Sequence, residues 1–358
     1  MKVCYVLCYY FPRYVRTQTL LDGLNQIPYL SIGVLINKNK GWLRYFEILL
    51  RLLIIRLCQK PDFFILGFRG YEIYWPIRLL TWGRPLILDH MMSPYDSLVY
   101  EKQKVTPGSI VEQLIYYYER MLLQNATAIL TDTSNHKHYL ANLFQVNPQK
   151  IYPVHVGTDE DLFKPLPFTK PDHNYFEVFF YGSFLPLHGV SYILQAAHLL
   201  QELPIKFHLV GGHKTDLKKF ANQIKELELS NVVHTPWIEY EQLPTVIAAA
   251  DLCLGGPFGN TGQAQRIITG KTYQFLAMNK PTVLGMIKPD QGFIDRHNCL
   301  LVPQADEQAL AEAIHWAYTH QRELPDIARR GHRLYWERFS TLQISQTLKN
   351  IFDEILSA

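Results

Sequence analysis

The chain has 358 residues, of which 48% are apolar and 19% are charged, and its formal net charge is +3. This length is too great for one ordinary domain and indicates two, each with a core of its own. The composition is that of a folded globular protein, which excludes the disordered and fibrous classes. The small net charge gives no sign of a concentrated basic face, so we do not expect a nucleic-acid partner.

The five cysteines are scattered along the chain, and none forms a C-x-x-C pair. We interpret them as buried thiols in a reducing compartment and assign them no chemistry. The N-terminal run MKVCYVLCYYF ends at Pro12, and no small-residue cleavage site follows it. We therefore predict that this run is a first β-strand and not a signal peptide.

Short β-branched and aromatic runs alternate with helix-period segments, a pattern typical of βαβ units and a parallel sheet. The predicted strands of the first half are 3–9, 30–35, 62–66, 85–89 and 128–131. Those of the second half are 177–181, 206–210, 232–234, 251–255 and 281–284, with helices over 190–201, 215–227 and 240–249. The proline-rich stretch FKPLPFTKPDHN separates the halves. We predict domains at 1–163 and 175–338, a linker at 164–174, and a C-terminal helix in 339–358 that packs back toward the first domain.

Segment 41–58, GWLRYFEILLRLLIIRLC, is predicted to be a basic amphipathic helix. Arg44, Glu47 and Arg51 fall on one face at about 100° per residue. These charges make the segment a poor membrane span. It either covers the N-terminal sheet or binds anionic lipid at the interface, and the two roles are compatible.

Ligands of open parallel sheets bind outside the carboxyl ends of the strands. The loop 182–189 follows the first strand of the second half and leads into the helix SYILQAAHLL. A helix N-terminus offers N–H groups and partial positive charge, which suit a phosphate. This loop is therefore a candidate phosphate site.

Six segments occur in an order and spacing that are specific in combination: VHVGTDEDLFKP, FFYGSFLPLHGVSYILQAAHLL, FHLVGG, AAADLCLGG, KTYQFLAMNKPTVLG and QGFIDRHNCLLVP. Through them the chain resembles the family 4 retaining glycosyltransferases with the GT-B fold. The resemblance implies an α/β protein in which two Rossmann-like parallel-sheet domains face each other across a cleft. It also implies that the second domain binds the donor nucleotide and the first binds the acceptor.

The donor-binding positions that the resemblance implies in the first loop are Ser183, His188 and Gly189. Typical members carry an arginine at the place of Ser183 and a lysine at the place of His188, and both hold the donor diphosphate. Serine still donates a hydrogen bond, and histidine donates one or carries a proton. The alternative for His188 is a surface or packing histidine.

The remaining donor positions are Arg266, Lys271 and Gln274. Typical members carry two glutamates, of which the second aligns with Gln274 and the first with Arg266. The spacing R-x-x-x-x-K-x-x-Q resembles a subgroup in which an arginine and a lysine precede the ribose-binding residue and the loop reads PLHG. Gln274 can bind ribose hydroxyls through its amide. The alternative for Lys271 is a solvated helix start.

The loop after the first strand contains Arg13, Arg16 and Thr17. An arginine fork can hold an anion in place of backbone N–H groups, and Arg16 is the better candidate because it opens the next helix. The alternative for Arg16 is a surface salt bridge.

Asp89, His90 and Asp96 follow the fourth strand and are the predicted catalytic residues. Asp89 or Asp96 would accept the proton of the acceptor hydroxyl, and His90 would bind the donor sugar. Asp96 could instead cap its loop. Farther along the chain, Thr133 or Ser134 is expected to cap a helix, and His136 and His138 are too close in sequence to share a helix face for a metal.

The expected reaction is the transfer of a sugar from a UDP- or GDP-linked donor to a saccharide, lipid-linked or small-molecule acceptor with retention of configuration. No metal and no cofactor are expected, so Arg16, His188, Arg266 and Lys271 would stabilise the departing diphosphate. The protein is expected in the cytoplasm at the inner membrane face, with peripheral contact through 41–58. One alternative is a non-catalytic GT-B-like binding protein. Another is a different two-domain GT-B enzyme, such as a sugar-nucleotide epimerase.

Overall fold

The computed structural model describes residues 1–9, 14–167, 174–288 and 291–357, with the side chains of Lys214 and Thr215 excepted. The chain divides into two compact units. The first contains Met1–Gly157 and Thr341–Ala358, and the second contains Thr158–Ser340. The candidate Arg13 and most of the predicted linker lie outside the described residues.

The first unit is built on a parallel sheet with the strand order β2-β1-β3-β4-β5-β6. Its strands are β1 Lys2–Leu7, β2 Ser31–Ile36, β3 Phe63–Leu66, β4 Leu86–Asp89, β5 Ala128–Thr131 and β6 Ile151–Pro153. Strands β3, β4 and β5 are buried along their whole length, as expected of parallel strands covered on both faces.

Helices cover both faces of this sheet. They are α1 Val15–Asn25, α2 Leu43–Cys58, α3 Tyr74–Leu80, α4 Pro94–Asp96, α5 Ile110–Asn125, α6 Ser134–Phe144 and α13 Thr341–Ser357. Side chains of α2, α3, α5 and α6 share one hydrophobic core with the sheet. Side chains of α1 and α13 share the core on the other face. The last helix of the chain therefore completes the first unit.

The second unit repeats this architecture with the strand order β12-β11-β10-β7-β8-β9, again parallel. Its strands are β7 Phe176–Gly182, β8 Ile205–Gly211, β9 Val232–Thr235, β10 Leu252–Leu254, β11 Thr282–Gly285 and β12 Leu300–Val302. Its helices are α7 Val190–Leu199, α8 Lys214–Glu226, α9 Leu243–Ala249, α10 Gly270–Ala277, α11 Glu307–Thr319 and α12 Leu324–Arg338. Side chains of α7, α8 and α11 pack on one face of the sheet, and those of α9 and α10 on the other.

The predicted α/β class is confirmed, and each of the ten predicted strands occurs within a few residues of its expected position. Strands β6 and β12 were not predicted from the sequence. Each has three residues, which is too short for a run of β-branched or aromatic residues to stand out. The expectation that all cysteines are buried is wrong for Cys58, which ends α2 on its solvent side.

Candidate functional site

Glycine backbones bring two strand ends of the second unit together. Gly182 ends β7 in register with Gly211 of β8. A Cβ atom on Gly211 would lie 2.2 Å from the carbonyl oxygen of Gly182, and the N–H of Gly212 donates to that same oxygen at 2.9 Å. A side chain at position 211 would force these strand ends apart. The loop that begins at Ser183 therefore leaves the sheet at its carboxyl edge, where ligands of parallel sheets bind.

The loop before α7 packs against a second loop, backbone to backbone. Gly189 has φ of +65°, and a Cβ atom there would lie 2.4 Å from the carbonyl carbon of Phe258. The N–H of Gly259 donates to the carbonyl of Leu187 at 3.0 Å. Position 189 therefore requires a glycine, both because of its backbone conformation and because of this close approach. Together the contacts hold the start of α7 in place.

Lys271 and His188 lie against the same aromatic ring. The Nζ atom of Lys271 is 4.8 Å from the centre of the Phe180 ring. The centre of the His188 ring is 6.0 Å from the centre of the same Phe180 ring. Lys271 opens α10 and is only 5% exposed, so a solvated helix start is the wrong interpretation. The structure thus brings together the predicted residues His188, Gly189 and Lys271.

Both of these groups have a strongly perturbed pKa. Burial lowers the pKa of Lys271 from 10.5 to about 7. The pKa of His188 is lowered well below its usual value of 6.5, mainly by burial and to a smaller extent by the charge of Lys271. His188 is therefore a neutral hydrogen-bonding group at neutral pH. An anion beside Lys271 would favour the charged form of this lysine. The surroundings of Lys271 and His188 are therefore suited to a phosphate.

Gln274 lies one turn after Lys271 on α10 and is buried. Its Nε2 atom donates to the hydroxyl of Tyr240 at 3.3 Å. Thr269, just before the helix, donates its hydroxyl to the carbonyl of Gly255 at 2.6 Å and so fixes the position of α10. Arg266 is half-buried in the segment that leads into α10. The α10 segment thus carries all three predicted residues Arg266, Lys271 and Gln274.

A cavity of about 280 Å³ opens beside the predicted loop. Its walls are mainly aromatic and aliphatic, with Tyr181, Ser183, Trp237, Ile238 and Tyr240 among them. A largely apolar cavity next to a candidate phosphate-binding loop suits a nucleobase and ribose. Trp237 and Tyr240 were not predicted from the sequence. Their position directly after β9 could have indicated them, because ligands of parallel sheets bind at the strand ends.

In the first unit, Arg16 and Asp89 form a fully buried ion pair. The Nε atom of Arg16 donates to Oδ1 of Asp89 at 3.0 Å. Nη2 donates to the carbonyl of Thr131 at 3.2 Å, and Nη1 donates to the carbonyls of Val154 and His155. Burial raises the pKa of Asp89, and the charge of Arg16 opposes this effect. The pair ties together the ends of β4, β5 and β6, so a surface salt bridge is the wrong alternative for Arg16.

Direct contact of Arg16 with a donor phosphate and proton transfer by Asp89 stay predictions. Either role would require that a side chain which is fully buried here come into contact with a ligand.

The other predicted residues of the first unit lie in a polar network. Nε2 of His90 is 2.8 Å from Oε1 of Glu119, whose second oxygen accepts the N–H of Tyr95 at 2.8 Å. The backbone N–H of Asp96 donates to the hydroxyl of Ser93 at 3.1 Å, so Ser93 caps this turn. The structure thus positions His90 and Asp96 around the turn after β4. Glu119 was not predicted from the sequence, because it lies in the middle of α5, far along the chain from His90.

The next strand end carries a second buried acid–histidine pair. Nδ1 of His136 is 2.8 Å from Oδ1 of Asp132. Thr133 caps α6 by accepting the N–H of His136 at 3.1 Å, which confirms one of the two predicted caps. Among the described residues, no three His, Cys, Asp or Glu side chains are grouped so that they could hold a metal ion.

Comparisons with known proteins agree with this architecture. Residues 176–320 match the family profile described as Glycosyl transferases group 1, and this match covers less than half of the chain. No curated protein sequence matches this chain.

Solved structures match over the whole chain. The structure of Anabaena Alr3699/HepE in complex with UDP has a TM-score of 0.75 at 15% identity, covering 99% of this chain and 100% of that one. Sucrose-phosphate synthase (tll1590) from Thermosynechococcus elongatus has a TM-score of 0.80 at 14% identity, covering 100% and 99%. A glycosyltransferase from Rickettsia africae has a TM-score of 0.71 at 13% identity, covering 99% and 98%. These similarities establish that the chain has the GT-B fold.

Proposed function

We propose that this protein is a glycosyltransferase that takes its sugar from a nucleotide-linked donor. The observation that carries the proposal is the buried Lys271, placed beside His188 and Gly189 at the start of α7, with an aromatic cavity next to them. The match of residues 176–320 to the group 1 transferases falls on the unit that contains this site. It supports transfer chemistry over mere nucleotide binding.

The donor nucleotide is proposed to lie with its base and ribose in the cavity. Trp237 and Ile238 would contact the base, and Gln274 would reach the ribose hydroxyls from beside Tyr240. The diphosphate would lie over Ser183 and the first turn of α7, within reach of Lys271. Structures of HepE were obtained with UDP, with UDP and glucose, and with UDP-glucose. A UDP-linked hexose is therefore the donor class that we propose first.

The chemical step is proposed to be transfer with retention, in which the diphosphate departs on the face that the acceptor approaches. Lys271 would stabilise the negative charge that grows on the diphosphate, and the N–H groups of the first turn of α7 would add to this effect. His188, being neutral, would donate a hydrogen bond and no full charge. We further propose that transfer needs no metal ion and that Arg266 adds positive charge from the same segment.

The acceptor is proposed to be a saccharide or a lipid-linked saccharide that meets Asp96 of the first unit. Asp96 would take the proton from the acceptor hydroxyl. Asp89 would act as a positioning residue through its ion pair with Arg16. The resemblance to the family 4 enzymes, which often have an acidic residue or a histidine near the reacting sugar at this place, supports these roles.

Turnover of sugar nucleotides tests the proposal. The purified chain is incubated with UDP-glucose, other UDP-sugars and GDP-mannose, and release of the nucleoside diphosphate is followed without acceptor and with a panel of saccharides. We expect release from one donor class and a loss of about 10²–10³ in rate for Lys271→Ala, because one electrostatic stabiliser of the leaving group is removed. The exposed Lys219 of α8 provides the matched control, Lys219→Ala.

Equal rates for Lys271→Ala and the wild type would remove Lys271 from the mechanism. Binding of a sugar nucleotide without any release, in the presence of every acceptor, would instead support a non-catalytic binding protein. The replacement of the family's arginine and lysine by Ser183 and His188 is the observation that favours this second candidate.

A further inference from the structure

Helix α2 holds several charged side chains against the protein and leaves many of its apolar side chains exposed, although Ile48 and Leu52 belong to the core. Arg44 is buried, and its Nη2 atom donates to Oε2 of Glu72 at 2.8 Å. Glu47 accepts the backbone N–H groups of Lys38 and Asn39 at 2.8–2.9 Å and pairs with Arg51 at 2.7 Å. The charged side chains of the face that was predicted to be polar thus find their hydrogen-bond and ion-pair partners within the protein.

The opposite side of α2 is a continuous apolar stripe. Trp42, Phe46, Leu50 and Leu57 fall within an arc of about 80° at 100° per residue. Their exposed fractions are 74%, 67%, 51% and 64%. A single exposed apolar residue is ordinary, but a stripe along a whole helix of about 24 Å marks an interaction site.

The stripe continues onto the neighbouring helix α3. Leu79 is 71% exposed and Trp82, just after α3, is 74% exposed. Helices α2 and α3 pack together, and Arg56 of α2 donates to the carbonyl of Trp82 at 3.4 Å. We call the surface formed by Trp42, Phe46, Leu50, Leu57, Leu79 and Trp82 the α2–α3 patch. The α2–α3 patch belongs to the first unit, and the cavity lined by Trp237 and Tyr240 belongs to the second.

Positive charge is concentrated around this patch. Residues 38–84 contain nine Lys or Arg and three Asp or Glu, although the whole chain carries a net charge of only +3. The three acidic residues are all in ion pairs with arginines of the same segment: Glu47 with Arg51, Glu72 with Arg44 and Arg69, and Asp62 with Arg84. Lys38, Lys40 and Lys60, at the two ends of α2, are exposed. An occupant of this surface must therefore be apolar in its interior and negatively charged at its edge.

We propose that the α2–α3 patch docks the protein on the surface of a bilayer that contains anionic lipids. Tryptophan is favoured at the boundary between acyl chains and headgroups, and both ends of the patch carry one. Lysines beside an apolar stripe attract anionic headgroups. Across the described ranges, no helix is both long and apolar enough to cross a membrane, and this docking needs none. The proposal goes beyond the transferase function and does not depend on it.

Vesicle sedimentation of the full chain tests the proposal. The probes are vesicles of phosphatidylcholine alone and of phosphatidylcholine with phosphatidylglycerol. We expect sedimentation with the anionic vesicles, weaker binding to the neutral ones, and weaker binding at high salt because the electrostatic part is screened. The triple variant Trp42→Ser/Phe46→Ser/Leu57→Ser should bind the anionic vesicles at least about tenfold more weakly.

The matched control is Leu199→Ser/Ile294→Ser/Leu342→Ser, which removes three apolar side chains of similar exposure outside the patch. It should bind vesicles as the wild type does, and thermal denaturation should show both triple variants folded. The proposal fails if the wild type does not sediment with anionic vesicles, or if the patch variant sediments as well as the wild type. It also fails if the wild type is a dimer that the patch variant converts to a monomer while neither binds vesicles, since a second copy would then cover the patch.

Discussion

Lys271 combines a cost to stability with a proposed role in binding. Its ammonium group is buried against an aromatic ring, and burial lowers its pKa to about 7. Holding a charge in such a place destabilises the folded chain until an anion arrives. A residue that is unfavourable for folding and positioned at a ligand site is the pattern expected when function, and not stability, selects it.

Replacing Lys271 by methionine should therefore stabilise the protein and lower donor turnover by about 10²–10³, as expected for Lys271→Ala. The folded pKa of about 7 lies below the ordinary value of 10.5, so the destabilisation is complete below pH 7 and is lost as the pH rises toward 10.5. We expect Lys271→Met to raise the free energy of unfolding by about 1–3 kcal/mol at pH 6, and by less at pH 9.5. Urea denaturation at the two pH values measures this.

The control for this prediction is Lys219→Met on the exposed face of α8. It should change the free energy of unfolding by less than about 0.5 kcal/mol at either pH. A Lys271→Met protein that is less stable than the wild type at pH 6 would show that the ammonium group is well solvated or ion-paired in the folded state.

Two kinds of sequence signal led to the candidate site residues. His188, Lys271 and Gln274 were predicted through the family resemblance, and Asp89 and His90 through their position at the end of a strand. Whether these residues act as proposed stays a prediction. Glu119 could not be predicted, because its partner His90 lies 29 residues away and only the packing of α5 on the sheet brings them together.

The start of α7 is held in place by Gly189, which meets a conformational and a steric requirement at once. Gly189 has a left-handed backbone, and it also lies directly against the backbone of Phe258. Gly41 has nearly the same φ, +62° against +65°, but a Cβ atom there would meet nothing within 4 Å. The two glycines share the conformational requirement, and only one is crowded.

Gly189→Ala should therefore be far more damaging than Gly41→Ala. Backbone strain alone costs about 1 kcal/mol at either position. The clash at 189 should bring the total loss in the free energy of unfolding to about 3 kcal/mol or more, because one of the two loops must move. Urea denaturation of both variants gives the difference directly. Similar losses at the two positions would mean that the loop before α7 can shift freely, and that it does not hold a phosphate site in place.

The orientation of α2 shows where a periodic pattern stops being informative. The sequence places Arg44, Glu47 and Arg51 on one face, and this grouping is correct. It cannot say that this face meets polar partners inside the protein, since Glu72 comes from another element and the N–H groups of Lys38 and Asn39 come from the preceding loop. Short strands are a second limit, because β6 and β12 are recognised by their pairing and not by their composition.

At the scale of the whole molecule, the chain folds as two parallel-sheet units of similar design, and its last helix returns to the first. Ile344, Leu348 and Phe352 of α13 share a core with α1 and with β1. Composition, length and alternating elements predicted the α/β class and two sheets, because parallel strands need helical crossovers of a recognisable length. The pairing of α13 with α1 depends on contacts across more than 300 residues.

We propose that the second unit binds a nucleotide through the cavity at Trp237 and the charge of Lys271. Thermal denaturation of the purified chain with UDP, GDP and ADP tests this proposal. We predict that UDP raises the melting temperature, with a stabilisation of about 2.7 kcal/mol at a concentration 100 times its Kd. Trp237→Ala or Lys271→Ala should remove most of this shift, and Lys219→Ala should keep it. A folded sample whose melting temperature none of these nucleotides changes would contradict the account.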